Sequence, residues 1–338
     1  MVFRFSAMGD VAMVSPVLQA LSKQHKELEI IMVSRPFFAP LFKDIPRLKF
    51  IGVDLKNHYK GVTGLYKLSR LLRKEKPDFV ADLHDVLRTK ILRFFFKIAG
   101  YKTVVLDKGR QEKKALIRSR HKILKPLRTT HERYAKVFEQ IGFPADLQQF
   151  KSLNRDLSPS VQLFLNPFEG QKLVGVAPFA AHKGKQYPIE KLKAVLKLVL
   201  ERYPQADFLL FGGPNDKVAL ETLEALDRNR IVNTAGLFRF EEELQLISRL
   251  NLMLSMDSGN GHLAALFGVP VITIWGATHP YAGFAPLFQT EDLQLLPDLN
   301  RFPQLPTSIY GQKTFDSFEE IWESIPPEKV ADKIIKNL

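Results

Sequence analysis

The densest run of chemistry-bearing residues in the sequence is Asp257-Ser258-Gly259-Asn260-Gly261-His262. An apolar stretch, NLMLSM, precedes it and a small-residue pattern, HLAALFG, follows, so the run reads as a strand end passing into a helix. Backbone N–H groups of Ser258, Gly259 and Asn260 at a helix start make an anion site, and His262 lies inside the first turn. Tight packing through Gly and Ala would account for the small residues by itself. The next apolar run, however, also ends in small and polar residues, 276–280, and two consecutive strand ends of that kind point to a ligand.

Four further loops carry candidates. After an apolar run at 174–176 comes APFAAHKGKQYP, where Ala180 and Ala181 precede Lys183 and Lys185. A lysine on a loop at a strand end neutralises a phosphate whose charge rises as a bond breaks; solvent-exposed lysines beside a turn are the plainer alternative. The stretch FGGPNDK offers Gly212 and Asp216, and has no Lys-Ser or Lys-Thr pair to complete a P-loop. Near the amino terminus, FSAMGDVAMVSPVL places Ser6, Gly9 and Asp10 after a first strand, with Ser15 and Pro16 expected to cap and open a helix. Asp10 either serves as a general base or simply caps that helix. His84 and Arg88 in ADLHDVLRT are candidate contacts for an anion, and the scattered histidines form no metal triad, so no metal is assigned.

These loops need rigid elements to position them. Short β-branched runs at 2–5, 30–33, 79–82 and 103–106 alternate with helical patterns such as 65–74 and 126–142. A second series follows at 174–176, 208–211, 231–232, 252–255 and 271–275. That rhythm predicts an α/β fold of two Rossmann-like doubly wound domains, 1–160 and 165–325, with ligands at the carboxyl ends of their strands and in a cleft between them. A last helix over 328–338 is expected to pack near the domain junction.

With 338 residues, 45% hydrophobic and 25% charged, the chain has apolar surface for two cores, and disorder cannot dominate it. Zero Cys removes disulfides, thiolate metal sites and cysteine nucleophiles together. No stretch reaches the length of a membrane span; ILRFFFKIAG carries Arg93 and Lys97 at helical spacing, and lying on an anionic membrane remains open. No secretory segment precedes the first strand, so a cytoplasmic protein is expected. Residues 1–160 hold 32 basic and 15 acidic residues, net +17, whereas 161–338 hold 17 and 21, net −4. Something acidic should face the first half: nucleic acid, a phosphorylated small molecule or an anionic membrane. Nucleic-acid-binding signatures are absent, which disfavours the first.

FSAMGDVAMVSPVL, KQYP and MDSGNGHLAALFGVPVITIWGATHP together resemble the ADP-heptose:lipopolysaccharide heptosyltransferases, a family of inverting GT-B glycosyltransferases. The resemblance implies that Asp10 is the catalytic base and that Lys185 contacts the diphosphate. It implies a grip on the sugar diphosphate by Asp257, Ser258, Gly259 and His262, an ADP-sugar donor, a Kdo/heptose-region acceptor on lipid A, and no cofactor or metal. Donor contacts are further expected at Ala180, Ala181, Lys183, Gly212 and Asp216, and acceptor contacts at Ser6, Gly9, His84 and Arg88. A monomer, peripheral on the inner face of the cytoplasmic membrane and without nucleic acid, is the expected state. Phe179-Ala180-Ala181 lacks the hydroxyls usual before the lysine, so backbone N–H groups would replace them. A sugar-nucleotide epimerase or reductase, or a non-enzymatic anion-binding module, are the alternative readings; a missing GxGxxG run counts against the first.

Overall fold

A computed structural model describes residues 1–338, which fall into two compact units. The first comprises Met1–Gly109 and Arg128–Lys151; the second comprises Arg110–Leu127 and Ser152–Leu338. Expected boundaries near 160 and 165 are therefore corrected in two ways. The main crossing lies at 151–152, and residues 110–127 belong to the second unit despite their place in the first half. Their partners explain it: Leu116 and Leu127 pack with Ala282 and Ile309, the Leu127 N–H donates to the Tyr281 carbonyl at 2.9 Å, and the Lys122 ammonium donates to the carbonyls of Gln304 and Leu305 at 2.6 and 2.7 Å. This segment carries seven Lys and Arg against one Glu, so part of the basic excess sits on the second unit.

The first unit holds a five-stranded parallel sheet of β1 (Val2–Phe3), β2 (Ile30–Ser34), β3 (Leu48–Gly52), β4 (Phe79–Asp82) and β5 (Lys102–Val105), in the order β3-β2-β1-β4-β5. Val2 pairs with Met32 on one side and Ala81 on the other, so β1 is central. Phe3, Phe5, Val33, Val80, Leu68, Leu92 and Phe96 form its core with the covering helices. Helix positions differ modestly from expectation. The helix Thr130–Glu139 starts late because Thr129 and Glu132 form a reciprocal cap, each side chain accepting the other's N–H. Ser15 is no cap: it lies inside the helix Val14–Gln24 and its hydroxyl donates to the Leu41 carbonyl at 2.8 Å. Pro16 stays within the first turn, where a missing N–H leaves no bond unmade.

The second unit holds six parallel strands, β6 (Lys172–Ala177), β7 (Ala206–Leu210), β8 (Ile231–Asn233), β9 (Leu252–Met256), β10 (Val271–Ile274) and β11 (Gln294–Leu295), in the order β11-β10-β9-β6-β7-β8. β6, β7, β9 and β10 are buried along nearly their whole length, as expected where helices cover both faces of a parallel sheet. The final helix, Pro327–Lys336, packs on the helix Ile189–Arg202, and its Val330, Ala331 and Ile334 join the second unit's core.

Strand order reverses direction between β1 and β4 in one unit and between β6 and β9 in the other. Crevices open beyond strand carboxyl ends at such switch points, and the loops after β1, β4, β6 and β9 are the ones holding Asp10, His84, Lys185 and Asp257.

Candidate functional site

In the second unit, residues Lys183–Lys185 form one turn of 3-10 helix after β6. Tyr187 anchors it: the ring is buried against Trp322, edge to face at 5.5 Å, and the hydroxyl donates to the Ile325 carbonyl at 2.7 Å. Gln186 donates to the Ala180 carbonyl at 2.7 Å and so ties the small-residue loop to the same turn. Between these anchors Lys185 points at Asp257, with its ammonium 2.8 Å from the carboxylate and 3.2 Å from the carbonyl. Thr278, from the loop after β10, donates its hydroxyl to the same carboxylate at 2.9 Å.

Backbone crowding fixes this arrangement. A Cβ on Gly276 would stand 2.4 Å from the Gly184 carbonyl, and one on Gly311, whose φ is +83°, would stand 2.5 Å from the Lys185 side chain. Glycine at both places lets the strand-end loops close on the lysine. Ser258 is the N-cap residue of the helix Gly259–Leu266, and its hydroxyl lies 3.2 Å from that of Ser255. His262 is buried one turn into that helix.

Asp257 is thus placed beside Lys185 but differently from the expected grip on a diphosphate. A carboxylate repels a diphosphate; this one is buried and faces an ammonium and a hydroxyl, so it fixes the lysine. Lys183 is exposed and takes no part in the cluster. Asp216 accepts the Gly213 N–H at 2.8 Å and closes its own loop beside Gly212, after β7. Ala181 lies exposed at the loop surface, whereas Ala180 is half-buried against the second unit's core.

In the first unit, Asp10 stands at the third position of the helix Met8–Ala12. Its carboxylate accepts the Ala7 N–H at 3.3 Å, so the capping alternative is realised, and it also meets the Arg4 guanidinium at 2.5 Å while remaining partly open to solvent. Arg4 is itself buried and donates to the Leu83 carbonyl at 2.7 Å. Capping and pairing fix the carboxylate's direction without covering it.

His84 approaches from the loop after β4, with Nε2 3.4 Å from the Ser6 hydroxyl. The fully buried Asp82 shapes that loop by accepting the N–H groups of His84 and Asp85, each at 2.9 Å, and pairing with Arg93 at 2.9 Å. Burial pushes the His84 pKa down to about 3, with Arg4 and Lys108 adding to the effect and Asp10 opposing it. The imidazole is therefore neutral at pH 7, a hydrogen-bonding group and not a cation. Its Nδ1 is buried without a protein partner.

Beside Ser6 opens a cleft of about 600 Å³ lined by Phe5, Arg35, Phe37, Asp54, Lys56 and Arg88. Arg35 stacks over Phe38 at 4.7 Å. Asp54 is engaged by the N–H groups of Lys56 and Asn57 and by the Asn57 amide, which together hold its carboxyl down at about 2. Arg35, Lys56 and Arg88 line this cleft without an ion-pair partner. Arg4, Arg35, Lys56, Thr278 and Gly311 are the residues that sequence reasoning missed.

The profile of glycosyltransferase family 9 (heptosyltransferase) matches residues 65–303. The lipopolysaccharide core heptosyltransferase OpsX of Haemophilus influenzae is 26% identical over 282 residues, covering 82% of this chain and 79% of that protein. Among solved structures, a family 9 glycosyl transferase from Veillonella parvula superposes with a TM-score of 0.73 at 20% identity, covering 99% of this chain and 96% of that one. The E. coli heptosyltransferase WaaC, solved with ADP, gives 0.67 at 16% identity and covers 100% and 99%.

Proposed function

The chain belongs to glycosyltransferase family 9, the heptosyltransferases, and from that membership we propose that it transfers heptose from an ADP-sugar to the Kdo/heptose region of the lipopolysaccharide inner core, with inversion. The anomeric carbon gains a bond to the acceptor oxygen and loses its bond to the diphosphate, and the hydroxyl proton goes to the Asp10 carboxylate. The departing ADP gains negative charge. Lys185 neutralises it, assisted by the N–H groups at 258–260, and His262 supports that end of the donor. Relatives of this family named for lipopolysaccharide core transfer, and a family structure holding ADP, support the choice of donor and acceptor.

The observation that carries the reading is the Lys185–Asp257–Thr278 cluster at a strand switch point, where a buried carboxylate fixes an ammonium beside a helix start. Acceptor anions, carboxylate or phosphate, are assigned to Arg35, Lys56 and Arg88, with Ser6, Gly9 and His84 lining the approach to Asp10. No metal or cofactor is given a part. The enzyme is taken to act as a monomer at the cytoplasmic face of the inner membrane, where a lipid-linked acceptor is reached.

The test is mass spectrometry of products from ADP-, GDP- and UDP-sugars offered with Kdo-bearing lipid A, with and without EDTA. A heptose added from the ADP-sugar alone, unaffected by EDTA, is expected. Transfer from UDP- or GDP-sugars in preference, or hydrolysis without transfer, would overturn the assignment.

A further inference from the structure

The helix Leu87–Ile98 has two apolar faces, only one of which the fold uses. Thr89, Leu92 and Phe96 are buried toward the sheet. On the opposite side Leu87, Ile91, Phe94 and Ile98 recur at helical spacing, and Leu87, Phe94 and Ile98 are 75%, 57% and 65% exposed. Ile91 is half-buried against the first unit's core, whereas folding leaves Leu87, Phe94 and Ile98 uncovered. The stripe widens onto the neighbouring helix Gly61–Arg73, where Val62 and Tyr66 are exposed and the Tyr66 ring meets Phe95 edge to face at 5.3 Å.

Charge on the two helices is of one sign. Together they carry seven Lys and Arg and no Asp or Glu. Arg93 and Lys90 are drawn to Asp82 and Asp85 at the base of the helix, whereas Lys67, Arg70 and Lys97 stay unpaired at the rim. An apolar stripe bordered by unpaired cations is the pattern by which a helix lies in a membrane interface, with the stripe among acyl chains and the cations among acidic headgroups. A protein partner of ordinary composition would meet the stripe but leave the cations without counter-charge. No helix of the chain is long and apolar enough to cross a membrane.

We propose that the surface formed by the helices Gly61–Arg73 and Leu87–Ile98 docks the protein on an anionic phospholipid bilayer, through Leu87, Phe94, Ile98 and Tyr66 with Lys67 and Lys97 at the rim. The proposal extends the reading of a lipid-linked acceptor by naming the surface that meets its membrane.

The experiment is co-sedimentation of the full chain with vesicles of phosphatidylglycerol or of phosphatidylcholine, without acceptor, at low and high salt. The probe proteins are wild type, Phe94→Ser/Ile98→Ser and Lys67→Glu/Lys97→Glu, none of them at a position assigned to catalysis or to donor or acceptor binding. Binding to phosphatidylglycerol vesicles, weakened by salt and reduced tenfold or more in both variants, is expected, with circular dichroism unchanged. Equal binding by wild type and folded variants would overturn the proposal. So would variants that convert a dimer to a monomer without changing vesicle binding, which would make the face a contact between copies. Heptose transfer to a deacylated, water-soluble acceptor is read in parallel and should be equal in all three proteins. Its absence in wild type would overturn the reaction and leave the vesicle result to decide the surface.

Discussion

Lys185 and the buried carboxylate of Asp257 form an ion pair 2.8 Å long, and the same lysine touches the Asp257 carbonyl at 3.2 Å, so the ammonium is fixed by one residue twice. A flexible lysine loses side-chain entropy whenever it must grip a ligand; here folding has already ordered it. Asp257→Asn should therefore lower kcat/KM for the donor by about 10- to 100-fold, the range for one charge-assisted hydrogen bond, while Thr278→Val has a smaller effect of the same kind. Steady-state kinetics with varied donor would check it.

Gly311 is the second support of that lysine. With φ at +83° and the Lys185 side chain 2.5 Å from where a Cβ would be, Gly311→Ala forces the backbone or the lysine to move. Donor affinity by calorimetry should fall about tenfold or more, with acceptor affinity unchanged. Gly170→Ala, also at positive φ but with open space around its Cβ position, controls for backbone strain alone and should leave donor affinity as it is.

The cleft beside Ser6 yields a separate expectation. Arg35→Ala and Lys56→Ala should each raise KM for the anionic acceptor by about tenfold, leave donor binding unchanged, and flatten the salt dependence of acceptor binding. Kinetics at varied ionic strength distinguish this from a folding defect.

His84 gives a pH signature. Its folded pKa near 3 lies below the ordinary value of 6.5, so between those limits the unfolded chain binds the proton and the folded one does not. Stability contributed by the neutral ring is whole above 6.5 and falls as pH drops toward 3. Between pH 7 and pH 5 the loss is about 2 kcal/mol. The stability difference between wild type and His84→Gln, measured by urea denaturation at both pH values, should shift in favour of the variant by about that amount at pH 5.

How much of this was legible in the sequence follows from what each residue depends on. β6, β7, β9 and β10 announce themselves as predominantly apolar runs because both faces of a parallel sheet are covered. β3, LKFIG, does not, since it is an edge strand with Lys49 exposed in its middle, and β11 is only two residues long. Lys185 and Asp257 stand in recognisable local runs, but their pairing joins two loops that only the β6–β9 adjacency brings together. Arg35 and Lys56 follow β2 and β3 and converge for the same reason. Residues 110–127 could not be assigned from sequence, because the apolar side chains that hold them, Ala282 and Ile309, come far later in the chain.

The division of labour between Asp10 and Lys185 is the centre of the account, and one comparison tests it most directly: single-turnover transfer and donor affinity in Asp10→Asn and Lys185→Ala, side by side. Asp10→Asn should bind the ADP-sugar as wild type does and transfer it about 100-fold more slowly or worse, while Lys185→Ala loses affinity and rate together. Undiminished transfer by Asp10→Asn, or unchanged donor binding and rate in Lys185→Ala, would contradict it.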